Sequence, residues 1–117
     1  MNKNFLLITL FLLVSPSAET KENINHFDAM DIFDLEWASD PQVSSDGEMI
    51  VYVRKSNDIM KDRVRSSLWR IAKDGRDHRP LHSGLKNSYS PRWSSDNKRI
   101  AFVSNNSGST QIHMHWV

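Results

Sequence analysis

Serine, histidine and aspartate, the side chains of a hydrolytic triad, all recur in this 117-residue chain. A serine becomes a nucleophile only where a base takes its proton and aimed N–H groups meet the oxyanion. One sequence sign of that arrangement is a G-x-S-x-G elbow. The four glycines are Gly47, Gly75, Gly84 and Gly108, and no two of them flank a serine at that spacing. The serines cluster instead beside Asp46 and Asp96, in runs that read as turns. His113 and His115 stand two apart on a predicted strand, so they share a face. Two imidazoles on one face can begin a zinc site, but no third ligand lies nearby in the sequence. The pair therefore reads as facing solvent or a loop. Trp37, Trp69, Trp93 and Trp116 have the surface to stack on a ligand, yet as structural residues they would fill gaps between sheets or cover edges. No catalytic residue, cofactor-binding residue or metal ligand is assigned.

The elements that would position these side chains follow from an internal repeat. Pro41-Gln42-Val43-Ser44-Ser45-Asp46-Gly47-Glu48-Met49-Ile50-Val51-Tyr52-Val53 is matched, 50 residues later and without a gap, by Pro91-Arg92-Trp93-Ser94-Ser95-Asp96-Asn97-Lys98-Arg99-Ile100-Ala101-Phe102-Val103. Asp46 and Asp96 suit an Asx-turn, in which the carboxylate takes the N–H two residues on. Gly47 and Asn97 are the residue types that most readily adopt positive φ, which explains their exchange. Pro41 and Pro91 stand just before the turn, where a missing N–H costs little. Met49–Val53 and Ile100–Val103 are apolar at consecutive positions, the pattern of strands buried on both faces.

Further strands complete the pattern. Ser67–Ala72 reads as a strand, Lys73-Asp74-Gly75-Arg76 as a hairpin turn, and Asp77–His82 as a returning strand that Pro80 demotes to an edge. Ser83-Gly84 breaks the chain before the second copy. Gln111–Trp116 alternates apolar and polar like a half-buried strand. The copies differ in one stretch, Lys55 to Arg65, which is expected to form a longer loop and a candidate contact surface.

Ahead of the repeat, Lys3, the apolar run Phe5–Val14 and Ser15-Pro16-Ser17-Ala18 form a signal peptide over residues 1–18. The run is too short for a membrane span, which needs about 20 residues. A polar linker occupies residues 19–27, and a short helix capped by Asp28 is expected over 28–36, with Phe27, Met30, Phe33 or Leu35 on its apolar side. Without residues 1–18 the chain has 14 basic and 14 acidic residues, which removes an electrostatic case for nucleic acid. Nine basic against four acidic residues lie between Arg54 and Arg79, and these read as a solvated face. No cysteine is present, so an exported product has neither a disulfide framework nor a cysteine lipid anchor. A periplasmic or secreted location follows, with no stable membrane anchor after cleavage.

Asp34-Leu35-Glu36-Trp37-Ala38-Ser39-Asp40-Pro41-Gln42-Val43-Ser44-Ser45-Asp46-Gly47 resembles the start of the propeller in the prolyl oligopeptidase family of serine peptidases, nearest its dipeptidyl-peptidase-like and acylaminoacyl-peptidase-like members. Pro91 to Ser104 resembles their TolB-type propeller repeat. The resemblance covers about residues 31–117. It implies an all-β fold in which residues 37–117 form about one and a half to two four-stranded blades of an incomplete β-propeller. It also implies a parent enzyme in which the propeller gates a C-terminal α/β-hydrolase domain that cleaves short peptides. The peptide substrate would then be met through that domain, whose catalytic residues have no counterpart here. The other reading is a TolB-type periplasmic propeller that binds proteins without catalysis.

Overall fold

The computed structural model describes residues 26–82 and 87–117. Residues 1–18, read as a signal peptide, most of the expected linker and the Ser83-Gly84 break lie outside the described residues. The fold is all-β. One antiparallel sheet contains β1 (Glu36–Val43), β2 (Met49–Asp58), β3 (Arg63–Ala72) and β4 (Arg79–Pro80), in that order. A second antiparallel sheet contains β5 (Ser88–Trp93), β6 (Arg99–Ser104) and β7 (Gln111–Trp116). The 50-residue repeat relates β1 to β5 and β2 to β6.

The expected helix is one short 3-10 segment, Ala29–Phe33. Asp28 caps it by accepting from the Met30 N–H at 3.1 Å, and Asp31 returns the favour to the Asp28 N–H at 2.7 Å. It stops early because the chain must extend by Glu36, which pairs with Ser56 of β2. The segment buries none of its residues, and its Ile32 carbonyl is held by the Asn57 side-chain amide at 2.5 Å.

The two turns are built alike, for the reasons their sequences suggest. Asp46 Oδ1 accepts from the Glu48 N–H at 3.0 Å, and Asp96 Oδ1 from the Lys98 N–H at 3.1 Å. Ser44 Oγ accepts from the Met49 N–H at 2.9 Å and donates to Asp46; Ser94 does the same with Arg99, at 3.0 Å, and Asp96. The exchanged residues both take positive φ, 73° at Gly47 and 56° at Asn97. Asn97 has a second role, because its Oδ1 accepts from the Ser45 N–H and hydroxyl at 3.0 Å each. The second turn is thereby tied to the first.

The residues before each turn are themselves strands, β1 and β5. Each is bulged, between Ser39 and Gln42 and between Tyr89 and Arg92. Pro41 and Pro91 occupy the bulges, where no ladder donor is required. Asp40 and Ser90 beside them take φ of 49° and 54°. Two elements are longer than expected. Lys55–Arg65 is not a loop: β2 continues to Asp58 and β3 begins at Arg63, so the difference between the copies is a longer hairpin. The polar cross-strand pairs Lys55–Ser66, Ser56–Arg65 and Asp58–Arg63 sustain it. The returning strand shrinks to Arg79–Pro80, where Pro80 has no N–H to give the ladder.

One face of each sheet meets the other. Val51, Val53, Leu68 and Leu81 from the first sheet and Ile100 and Phe102 from the second form the core, with Trp93 packed against it. β2 and β6 are fully buried on that face alone; Ile50, Tyr52, Ala101 and Val103 on the opposite faces are half-buried. The expectation of two buried faces therefore holds for one face only among the described residues. Polar bonds frame the joint: Trp93 Nε1 donates to the Gln42 carbonyl at 2.9 Å, and Arg92 pairs with Asp40 at 3.0 Å.

Candidate binding groove between the two sheets

Two side-chain clusters border this joint, one rich in imidazoles and one in hydroxyls. The imidazole cluster surrounds Phe102. Its ring is stacked between His82, at a centroid distance of 5.3 Å, and His113, at 5.6 Å. His115 pairs across strands with Ile100, which places it on the same inward face as His113. The two histidines are half-buried, whereas Ile112, Met114 and Trp116 of the same strand are exposed. The pair is thus half-buried rather than fully solvent-facing, and it shares an open pocket with Asn106 of the β6–β7 connection. Flat imidazoles stack on Phe102, and the larger apolar side chains take the other face. Burial is the main reason the pKa of His82 and that of His115 are depressed. His115 and His113 add to the effect on His82, and Arg70 and Arg79 to that on His115.

No group of three or more potential metal ligands with suitable geometry occurs among the described residues. Ser88 Oγ lies 3.1 Å from His82 Nε2, a serine–histidine contact of the length a triad uses. Ser88 is fully buried, however, and its hydroxyl also bonds Ser104 Oγ at 3.1 Å. A nucleophile enclosed in this way has no access to substrate, and among the described residues no carboxylate is hydrogen-bonded to His82 to orient it. The contact secures the start of β5 to the chain that leads into it.

The tryptophans divide by location. Trp93 seals the joint as described. Trp69 is half-buried and lies 4.3 Å from the Arg54 guanidinium, a cation–π contact. Trp37 and Trp116 are exposed.

The hydroxyl cluster lines a groove of about 400 Å³ between the sheets. Ser39, Asp40, Val53, Lys55, Val64 and Ser66 come from the first sheet, and Tyr89 and Ser90 from the second. Both bulges open onto it, through Asp40 and Ser90. Asp40 is held by Arg92 and by the Gln42 side-chain amide at 2.8 Å. The Arg92 hydrogen bond is the largest cause of its lowered pKa. Lys55, expected to open a longer loop and candidate contact surface within a basic stretch, lies instead on β2 and lines the groove. The signal was present in the period of two, which puts Val51, Val53 and Lys55 on one side of β2. Since Val51 and Val53 are core, Lys55 continues the same face beyond the core into the groove.

Comparison with known proteins supplies the chemical context. No family model matches the chain. It is 32% identical over 99 residues to a protein named dipeptidyl-peptidase 5 from Porphyromonas gingivalis, covering 85% of this chain and 14% of that protein. It is 34% identical over 80 residues to an uncharacterized peptidase, YuxL, of Bacillus subtilis, covering 68% of this chain and 12% of the relative. A dipeptidyl-peptidase 5 from Porphyromonas endodontalis is 30% identical over 70 residues. The similarity links the chain to peptidases, and the chain spans about one seventh or less of these relatives' length.

Proposed function

We propose that the chain is the N-terminal propeller portion of an exported serine peptidase that hydrolyses short peptides. In this reading the two sheets are the first two blades, and the propeller gates access to an α/β-hydrolase domain encoded after Val117. The observation that carries it is the similarity to peptidase-named proteins over 85% of this chain. The sheet pattern supports it. Two antiparallel sheets of four and three strands recur at a 50-residue interval and pack face to face, as neighbouring blades do. The amino-terminal signal supports export. A hydrolase needs its nucleophile, base and acid in one constellation, and these are assigned to the later domain.

The reading frame beyond Val117 tests this directly. It is expected to encode further repeats at a spacing near that of the first two. A G-x-S-x-G elbow should follow, then an aspartate and a histidine in that order. Further repeats followed by a stop would replace the peptidase reading with that of a non-catalytic propeller that binds proteins.

A further inference from the structure

The groove between the sheets holds a half-buried lysine that has no counter-ion among the described residues. Lys55 makes no ion pair or side-chain hydrogen bond among the described residues, and its burial is partial because Val53, Val64 and Ser66 stand beside it. Its ammonium is not among the buried unpaired polar atoms of the described residues, so it keeps solvent contact and can be approached by an anion. Ser39, Ser66, Tyr89 and Ser90 line the same groove, and their hydroxyls make no hydrogen bond among the described residues. The one carboxylate there, Asp40, is already committed to Arg92 and Gln42. Asp40 and Arg92 cancel in charge, so the groove carries the single positive charge of Lys55. A concave space of about 400 Å³ falls in the range of small-ligand sites, roughly 300–1,000 Å³.

We propose that this groove binds the terminal carboxylate of a short peptide, with Lys55 as counter-ion and the surrounding hydroxyls as hydrogen-bond donors. A lone ammonium is a point charge with three donors, which suits one carboxylate. A phosphodiester chain would need a run of cations, and the mature chain has equal numbers of basic and acidic residues. Val53 and Val64 form the apolar wall for the residue that bears the carboxylate. The site stands on the geometry of the joint and does not require a hydrolase domain, so the peptidase reading can fail without it.

The test is lysine footprinting of the full-length protein by acetylation and mass spectrometry. N-acetylglycine serves as the carboxylate probe and N-acetylglycinamide as its neutral counterpart. The acid is expected to slow acetylation of Lys55 roughly fourfold at three times its Kd, by simple occupancy. It should leave Lys61 and Lys73 unchanged, and the amide should protect none of them. Lys55→Arg should still bind the acid, whereas Lys55→Gln should not, as read by melting-temperature shifts with the probe. Equal protection by acid and amide would overturn the proposal, as would no protection of a freely reacting Lys55. A Lys55 that is already unreactive and insensitive to the probe would overturn it too, by showing that a carboxylate of the protein itself fills the groove.

Discussion

Leu68→Ala is expected to remove about 2–5 kcal/mol of folding stability, the range for deleting a fully buried leucine. Leu68 is 0% exposed and stands opposite Val53 in the ladder, and both pack into the core that joins the sheets. Its carbonyl also accepts from the Leu81 N–H at 2.9 Å, which brings Leu81 into the same core. Truncation leaves a cavity where both sheets meet, in the one buried cluster among the described residues. Small domains have a total stability of about 5–15 kcal/mol, so the loss is a substantial fraction of the whole and should lower the urea midpoint clearly. Urea titration followed by tryptophan fluorescence measures the loss, because Trp93 packs against the same core. Ile112→Ala is the control. Ile112 is 79% exposed, and its truncation should change stability by no more than about 0.5 kcal/mol. A loss below about 1 kcal/mol for Leu68→Ala would mean that the sheets do not share this core.

Acid should loosen the same joint in a pH window of its own. His82 and His115 have pKa values below the ordinary histidine value of 6.5 in the folded chain, first because of burial. The unfolded chain therefore binds protons more readily than the folded one. The stability these groups contribute is fully present above pH 6.5 and is lost as the pH falls through their folded values. The groups that face them reinforce this direction. Arg70 of β3 and Arg79 of β4 act on His115, and His113 and His115 act on His82. Asp77 is the offsetting acid, but it is engaged by Arg70 at 2.6 Å and Arg79 at 2.7 Å. The carboxylates titrate elsewhere. Asp40, Asp46, Asp74, Asp77 and Asp96 all lie below the ordinary aspartate value of 3.8, so their contribution persists until the pH falls below that value. Melting temperature should thus decline in a first step below pH 6.5 and in a second below pH 3.8. The double variant His82→Gln, His115→Gln should flatten the first step and leave the second. An unchanged first step in that variant would assign the transition to other groups.

How much of this was legible in the sequence depended on how local the cause was. The turns were legible because Ser44, Asp46 and Gly47 satisfy one another within six residues of chain, as do Ser94, Asp96 and Asn97. Val51, Val53 and Ile100 were legible as core because they are apolar on strands. β1 and β5 were hidden. Asp40-Pro41 and Ser90-Pro91 look like breakers, and only pairing with β2 and β6 turns them into bulges. The long hairpin was hidden for a related reason, since Lys55–Asp58 is polar and gains strand structure from its partners on β3. The inward turn of His113 depends on Phe102 of the neighbouring strand, to which no local pattern points. The groove was the least legible feature, because it exists only where one sheet meets the other. Lys55 lies in a basic stretch and acquires its meaning from Tyr89 and Ser90, more than 30 residues away.

The most direct measurement is peptide hydrolysis by the purified full-length protein. Short fluorogenic peptides should be cleaved, and a serine-directed phosphonylating reagent should abolish the cleavage while leaving the protein folded. A folded full-length protein that cleaves none of a broad panel of short peptides, or one whose cleavage is insensitive to that reagent, would contradict the account.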